Sequence, residues 1–248
     1  MARVVLTQPL PRVEALAEML AARGHDVLGM PFIRIAPLQQ RALRDEIRRY
    51  RWVIPVSPAA VAQLAAALEG IWPSGAVGLG LIGPGSVRAL EESGLPVPAG
   101  HVVVPVGPTY DAGALLQTAE FNAVQGASIL VLRGEGGRED WIDTLRSRGA
   151  EVTVQALYER VEVQPEPAAR DRLGRWLQEG LRVHCVFTQA SAVDNLCALN
   201  ESGALVGPEG LGTALVIHDR IADRARSAGF NQVITIAPGE SAIAAALE

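Results

Sequence analysis

The segment Ile129–Val161 constrains this chain more than any other stretch. It opens with Ile129-Leu130-Val131-Leu132, a continuous apolar run expected of a strand buried on both faces. Gly134, Gly136 and Gly137 follow as a turn. An amphipathic helix from about Glu139 to Ser147 then carries Trp141, Ile142 and Leu145 on one stripe, and Gly149 is placed to end it in a left-handed cap. Val152, Val154 and Leu157 alternate as a second strand, which runs into Tyr158-Glu159-Arg160, a polar aromatic at the end of an element. Strand, turn, helix and strand in this order make the building block of a parallel α/β sheet.

The same block occurs near the start. Arg3–Thr7 reads as a strand, Gln8-Pro9-Leu10-Pro11 as a turn, Val13–Arg23 as a helix stopped by Gly24, and Val27–Ile35 as an extended segment interrupted by Pro31. Other pairs of segments, roughly 125 to 135 residues apart, repeat likewise. Trp52–Val61 parallels His184–Val193, and Leu81–Leu90 with its stop at Gly94 parallels Val216–Ala222 with its stop at Gly229. Val102–Pro105, with a helix from about Asp111, parallels Val233–Ile236, with a helix from about Ser241.

The block with the glycine stop comes first in the chain but last in the central half. The simplest partition is therefore a discontinuous lobe of residues 1–34 plus 167–248 and a second lobe of residues 42–156, with connections at 35–41 and 157–166. Pro37, Pro165 and Pro167 with Glu159 and Arg160 mark the crossings. Two extended crossings side by side would form a hinge, with ligand held between the lobes. The expected class is α/β: two similar lobes with parallel sheets flanked by helices.

A net charge of −5 argues against a nucleic-acid binder held by bulk charge, yet leaves open a polyanionic small ligand gripped by local amides and a few arginines. Cys185 and Cys197 lack metal-site spacing, and Cys185 sits in an apolar strand as a small hydrophobe. The start, MARVVLTQP, lacks the apolar core of a signal peptide, and no run approaches the roughly 18 apolar residues of a membrane span. A soluble cytoplasmic protein is expected.

Ligands of parallel α/β sheets bind beyond the carboxyl ends of the strands. The positions there are Thr7-Gln8, Ser57-Pro58, Gly83 to Ser86, Arg133 to Arg138, Thr188 to Ser191 and His218-Asp219-Arg220. Hydroxyls, amides and backbone N–H groups of this kind suit carboxylates or phosphates. Each also has a plainer reading: Ser57, Ser86, Ser191 and His218 as helix caps, Arg133 and Arg138 as surface charges. Dinucleotide and Walker fingerprints are missing.

These residues together resemble the uroporphyrinogen-III synthase family. LRGEGGRE (residues 132–139), then Leu145, Gly149 and Tyr158-Glu159-Arg160, is similar to the family's strand, Gly-Gly-Arg turn, helix and strand ending Tyr-x-Arg. Thr7-Gln8-Pro9 resembles its Thr-Arg-Pro, and Val56–Val61 its Thr-Ser-x-Asn-Ala-Val. Ile82–Gly94 resembles its Val-Gly-x-x-Thr segment, and Phe187–Val193 its Phe-Thr-Ser-x-Ser-Ala-Val. The resemblance spans essentially the whole chain.

It implies two α/β lobes joined by a two-stranded β-ladder hinge, with the cleft as active site. It implies a cofactor-free lyase reaction on hydroxymethylbilane, a linear tetrapyrrole polyacid. The ring A hydroxyl is lost as water, and the ring closes with ring D inverted to give uroporphyrinogen III. Tyr158 corresponds to the family's favoured proton donor; packing of the hinge is its plainer role. The implied substrate-binding residues are Thr7, Gln8, Ser57, Gly83, Ser86, Arg133, Gly134, Gly137, Arg138, Thr188, Gln189, Ser191 and Arg220. The implied protein is a monomer with no metal, nucleic-acid or membrane partner, and a transient contact with the preceding enzyme of the pathway is left open. Three positions depart from the pattern: Gln8 replaces an arginine, Gln189 a serine, and His218-Asp219-Arg220-Ile221 the second Gly-x-x-Thr. The altered second-lobe turn motivates the alternative of an impaired homologue acting as a tetrapyrrole-binding or regulatory module; a two-lobe anion or sugar-phosphate binder ranks last, because the phosphate fingerprints are missing.

Overall fold

In the computed structural model the described residues are 1–10, 12–39, 43–73, 75, 77–107, 109–136, 139–199 and 211–248. In chain order the elements are β1 (Arg3–Leu6), α1 (Arg12–Ala22), β2 (Asp26–Gly29), β3 (Ile33–Pro37), α2 (Leu43–Glu46), β4 (Trp52–Pro55), α3 (Pro58–Ala67), β5 (Gly78–Gly80), α4 (Pro84–Ser93), β6 (Val102–Val103), α5 (Ala112–Leu116) and α6 (Ala119–Asn122). They continue with β7 (Ser128–Gly134), α7 (Asp140–Ser147), β8 (Glu151–Glu162), α8 (Pro167–Gln178), β9 (Val183–Phe187), α9 (Ala190–Leu199), β10 (Thr213–Val216), α10 (Asp219–Ser227), β11 (Gln232–Thr235) and α11 (Glu240–Ala245). The architecture is mixed α/β, with parallel sheets flanked by helices. No described helix is long and apolar enough to cross a membrane.

The chain divides into two compact units, Met1–Ile35 with Val161–Glu248, and Ala36–Arg160. The first is built on a sheet of order β11-β10-β9-β1-β2, parallel throughout. Its inner strands β1, β9 and β10 are largely buried because helices cover both faces. Val4 and Leu6 of β1 pack with Leu16 and Leu20 of α1 and Ile243 of α11. Val5, between them, joins the opposite core with Leu173 of α8, Leu196 of α9 and Ala222 of α10.

The second sheet has the order β3-β8-β7-β4-β5-β6; its strands β8, β7, β4, β5 and β6, on which the second unit is built, are mutually parallel. Trp52, Ile54, Ile129 and Val131 form one core with Phe121, and with Ile142 and Leu145 of α7. Trp141, on the same predicted stripe, is half-buried. Helix α3 packs on β4 and β7 and buries Ala60, Val61 and Leu64. Gly149 has φ 83°, the left-handed stop expected after α7.

One boundary differs from the sequence expectation. Leu157 and Tyr158 mark the apparent end of an alternating strand, yet β8 continues to Glu162. The reason is a register irregularity: Arg133 pairs with Ala156, whereas the next residue, Gly134, pairs with Tyr158. Leu157 is an extra residue in β8, and a bulge of this kind breaks the period-two pattern without ending the strand.

Candidate functional site

The central strands of the second sheet, β7 and β4, lie side by side, with Leu132 paired to Pro55. The next strand in the chain goes to opposite sides of this pair: β8 lies beyond β7, β5 beyond β4. The helices after β7 and β4 diverge there and open a crevice beyond the carboxyl ends, the usual ligand position in such sheets. A cavity of about 700 Å³ occupies this place, lined by Ser57, Arg133, Gly134, Gly136, Tyr158 and Arg160 among others.

Ser57 follows β4 and adopts an extended conformation as the N-cap of α3, with Pro58 in the first turn. Its Oγ accepts the Ala60 N–H at 3.0 Å, satisfying one of the helix's unpaired donors. The same Oγ lies 3.1 Å from the Tyr158 hydroxyl. Tyr158 is 1% exposed, and its carbonyl accepts the Glu135 N–H at 2.9 Å. The guanidinium carbon of Arg160 lies 5.9 Å from the centroid of the phenol ring, within cation–π range.

Arg133 leaves the end of β7 and donates from Nη2 to Glu139 Oε1 at 2.7 Å. Its Nη1 is buried with no hydrogen-bond partner among the described residues. Arg148 also lines the cavity, but its Nη1 is spent on the carbonyls of Leu116 at 2.6 Å and Phe121 at 2.9 Å. Asp111 on the wall accepts the Ala114 N–H at 2.7 Å as the cap of α5.

Of the residues singled out from sequence, the cavity gathers Ser57, Arg133, Gly134 and Tyr158. Gly83 and Ser86 do not line it. Gly83 packs against the Tyr110 side chain, where an added Cβ would come to 2.8 Å from Tyr110 Cβ, and Ser86 is buried inside α4, with its N–H bonded to Gly83 O. Gly137 and Arg138 lie outside the described residues. Arg160, Asp111 and Arg148 were not among the sequence candidates. Only Arg160 carried a signal, its place in the Tyr-x-Arg end of the strand.

The remaining candidates belong to the first unit. There Thr7, after β1, donates its hydroxyl to Val186 O at 2.8 Å. Gln8 is 2% exposed, and both side-chain amide atoms are buried without a partner among the described residues. Thr188 and Gln189, between β9 and α9, are half-buried, and Ser191 is exposed in the first turn of α9. His218 caps α10: its Nδ1 accepts the N–H of Arg220 at 3.1 Å, and the Arg220 side chain is exposed. Among the described residues no group of three or more His, Cys, Asp or Glu is arranged to hold a metal ion.

The family model described as uroporphyrinogen-III synthase HemD matches residues 14–244. The chain belongs to the uroporphyrinogen-III synthase family. A relative in Salmonella typhimurium, a uroporphyrinogen-III synthase, is 28% identical over 239 residues, covering 93% of each chain. The Escherichia coli uroporphyrinogen-III synthase is 29% identical over 180 residues, 70% of each chain. Two family members of known structure share the fold. That from Helicobacter pylori superposes with a TM-score of 0.55 at 15% identity over the full length of both chains. A mutant of the Thermus thermophilus protein gives 0.51 at 21% identity, covering 98% of this chain and 96% of its own.

Proposed function

We propose that this chain acts as a uroporphyrinogen-III synthase, closing hydroxymethylbilane to uroporphyrinogen III with loss of water and inversion of ring D. Family membership supports the activity. The observation that carries the assignment to this cavity is the phenol of Tyr158, buried on its wall within 3.1 Å of Ser57 and flanked by Arg160. A phenol hydroxyl can hand its proton to a departing hydroxyl as a general acid.

In this reading the C–O bond of the ring A hydroxymethyl group breaks as Tyr158 protonates the leaving oxygen, which departs as water. The proton later lost from ring D on closure restores the phenol, so the proton count balances with no cofactor. Arg133 and Arg160 supply positive charge for the carboxylates of the bilane. Much of the rate then comes from holding the flexible chain in the folded geometry that leads to inversion.

The deciding assay supplies hydroxymethylbilane and separates the product isomers. Isomer III rising in proportion to protein is the expected result; isomer I alone at every protein level overturns the proposal. A second reading, a tetrapyrrole-binding module without turnover, is favoured by one observation. At the N-terminus of α10 the His218 ring occupies the Arg220 N–H, which a ligand anion would otherwise accept. That reading requires saturable bilane or product binding together with no isomer III.

A further inference from the structure

Tyr158 has to give up its proton while buried, and a phenolate left inside a protein needs a donor aimed at its oxygen. Ser57 stands in that position, and its own hydrogen bonds limit which way its proton can point. One lone pair of Ser57 Oγ is taken by the Ala60 N–H at 3.0 Å. The backbone at Ser57 is held in the extended cap geometry by α3 and Pro58, so the hydroxyl oxygen is fixed 3.1 Å from the phenol oxygen.

The phenol is fixed from the other side. The bulge at Leu157 sets Tyr158 directly opposite Gly134, and the ring lies so close over that glycine that a Cβ there would be 2.5 Å from Tyr158 Cε2. Two rigid elements, the start of α3 and the β7–β8 pair, thus bring together two hydroxyls 101 residues apart in sequence.

We infer that Ser57 is a positioning residue for Tyr158. Its hydroxyl donates to the phenol oxygen, which turns the phenol's own proton toward the cavity and then holds the phenolate until the proton returns. Ser57 forms no covalent bond and passes on no proton of its own. Helix α3, ten residues long, adds the partial positive charge of its N-terminus on the same side. The inference rests on the proposed acid role of Tyr158 and adds a residue to it.

The test separates cap from donor. Ser57→Asp keeps an excellent N-cap acceptor but cannot donate when ionised; Ser57→Ala loses both functions; Ser57→Thr keeps both. Ser57→Asp should hold or raise thermal stability while kcat for isomer III falls on the order of 10²-fold, the loss typical of a donor aimed at a developing oxyanion, with KM changed less than about threefold. Ser57→Ala should lose both stability and kcat, and Ser57→Thr should recover most of each. Because Ser57 acts through Tyr158, the double variant Ser57→Asp/Tyr158→Phe should be no slower than Tyr158→Phe alone.

If kcat of Ser57→Asp matches wild type while Tyr158→Phe is impaired, the inference fails and the acid role stands. If Tyr158→Phe itself is unimpaired, the acid role fails first. If the two losses multiply in the double variant, Ser57 acts on the substrate directly and the inference is overturned.

Discussion

Gly134 and Tyr158 face each other across β7 and β8, with no room on the glycine for even a methyl group. The glycine is needed for approach of the ring, not for a left-handed turn, since it sits within a strand. Gly134→Ala should push the ring off its seat and lengthen the contact between the Tyr158 and Ser57 hydroxyls. Overpacking of this kind costs about 1–3 kcal/mol of stability, measurable by denaturant unfolding. The rate of isomer III formation should fall more than the folded fraction does. A variant that loses stability but keeps full specific activity would detach the glycine from the site.

Arg133 offers its buried Nη1 while Nη2 is tied to Glu139. Arg133→Met retains the packing of the stem but removes the charge. If a bilane carboxylate takes that nitrogen, one charged hydrogen bond of about 1.5–3 kcal/mol is lost, so KM should rise by about one to two orders of magnitude, with kcat little changed. Glu139→Gln should leave KM equal or lower, because the competing carboxylate is gone. An unchanged KM in Arg133→Met would place the bilane's carboxylates elsewhere.

The two sheets show how far the sequence could be read. In the first unit the order is β2-β1-β9-β10-β11; in the second, setting β3 aside, it is β8-β7-β4-β5-β6. Segment by segment these are the repeats seen in the sequence, because the inner strands β1, β9, β4 and β7 are short apolar runs and the paired helices α1 with α7 and α4 with α10 each stop at a positive-φ glycine, Gly24, Gly149, Gly94 and Gly229. The site was less legible. Alternation fails at Leu157 because of a bulge that only pairing with β7 defines. The closeness of Ser57 and Tyr158 depends on β4 and β8 flanking β7, and neither residue's neighbours in sequence signal it. Gly83 and Ser86 matched a motif as well as Ser57 did, yet the Tyr110 side chain and the interior of α4 claim them.

Cys185 lies at the centre of β9, fully buried, and burial pushes its thiol well above the usual range. A thiolate-selective reagent such as an aromatic disulfide should therefore spare it in the folded protein. In a Cys197→Ser background, labelling should be negligible under native conditions and complete in denaturant. Rapid native labelling of that variant would show that β9 opens readily.

His184 pairs with Val4 and Thr213 in the first sheet, and its Nδ1 is buried with no partner among the described residues. Burial first, then the Arg182 guanidinium and His25, hold its pKa below the ordinary 6.5. The unfolded chain therefore binds a proton that the folded chain resists. By linkage this contribution is fully present above about pH 6.5 and is lost as pH falls through the lowered folded value. His184→Asn removes the titrating group, so its unfolding midpoint should fall less steeply than wild type on acidification below about pH 6.5, and the two curves should run parallel above it. His25→Asn, which removes one opposing charge and leaves His184, should weaken the wild-type slope without abolishing it. Parallel curves for wild type and His184→Asn throughout the acid range would show that another group sets the acid limb.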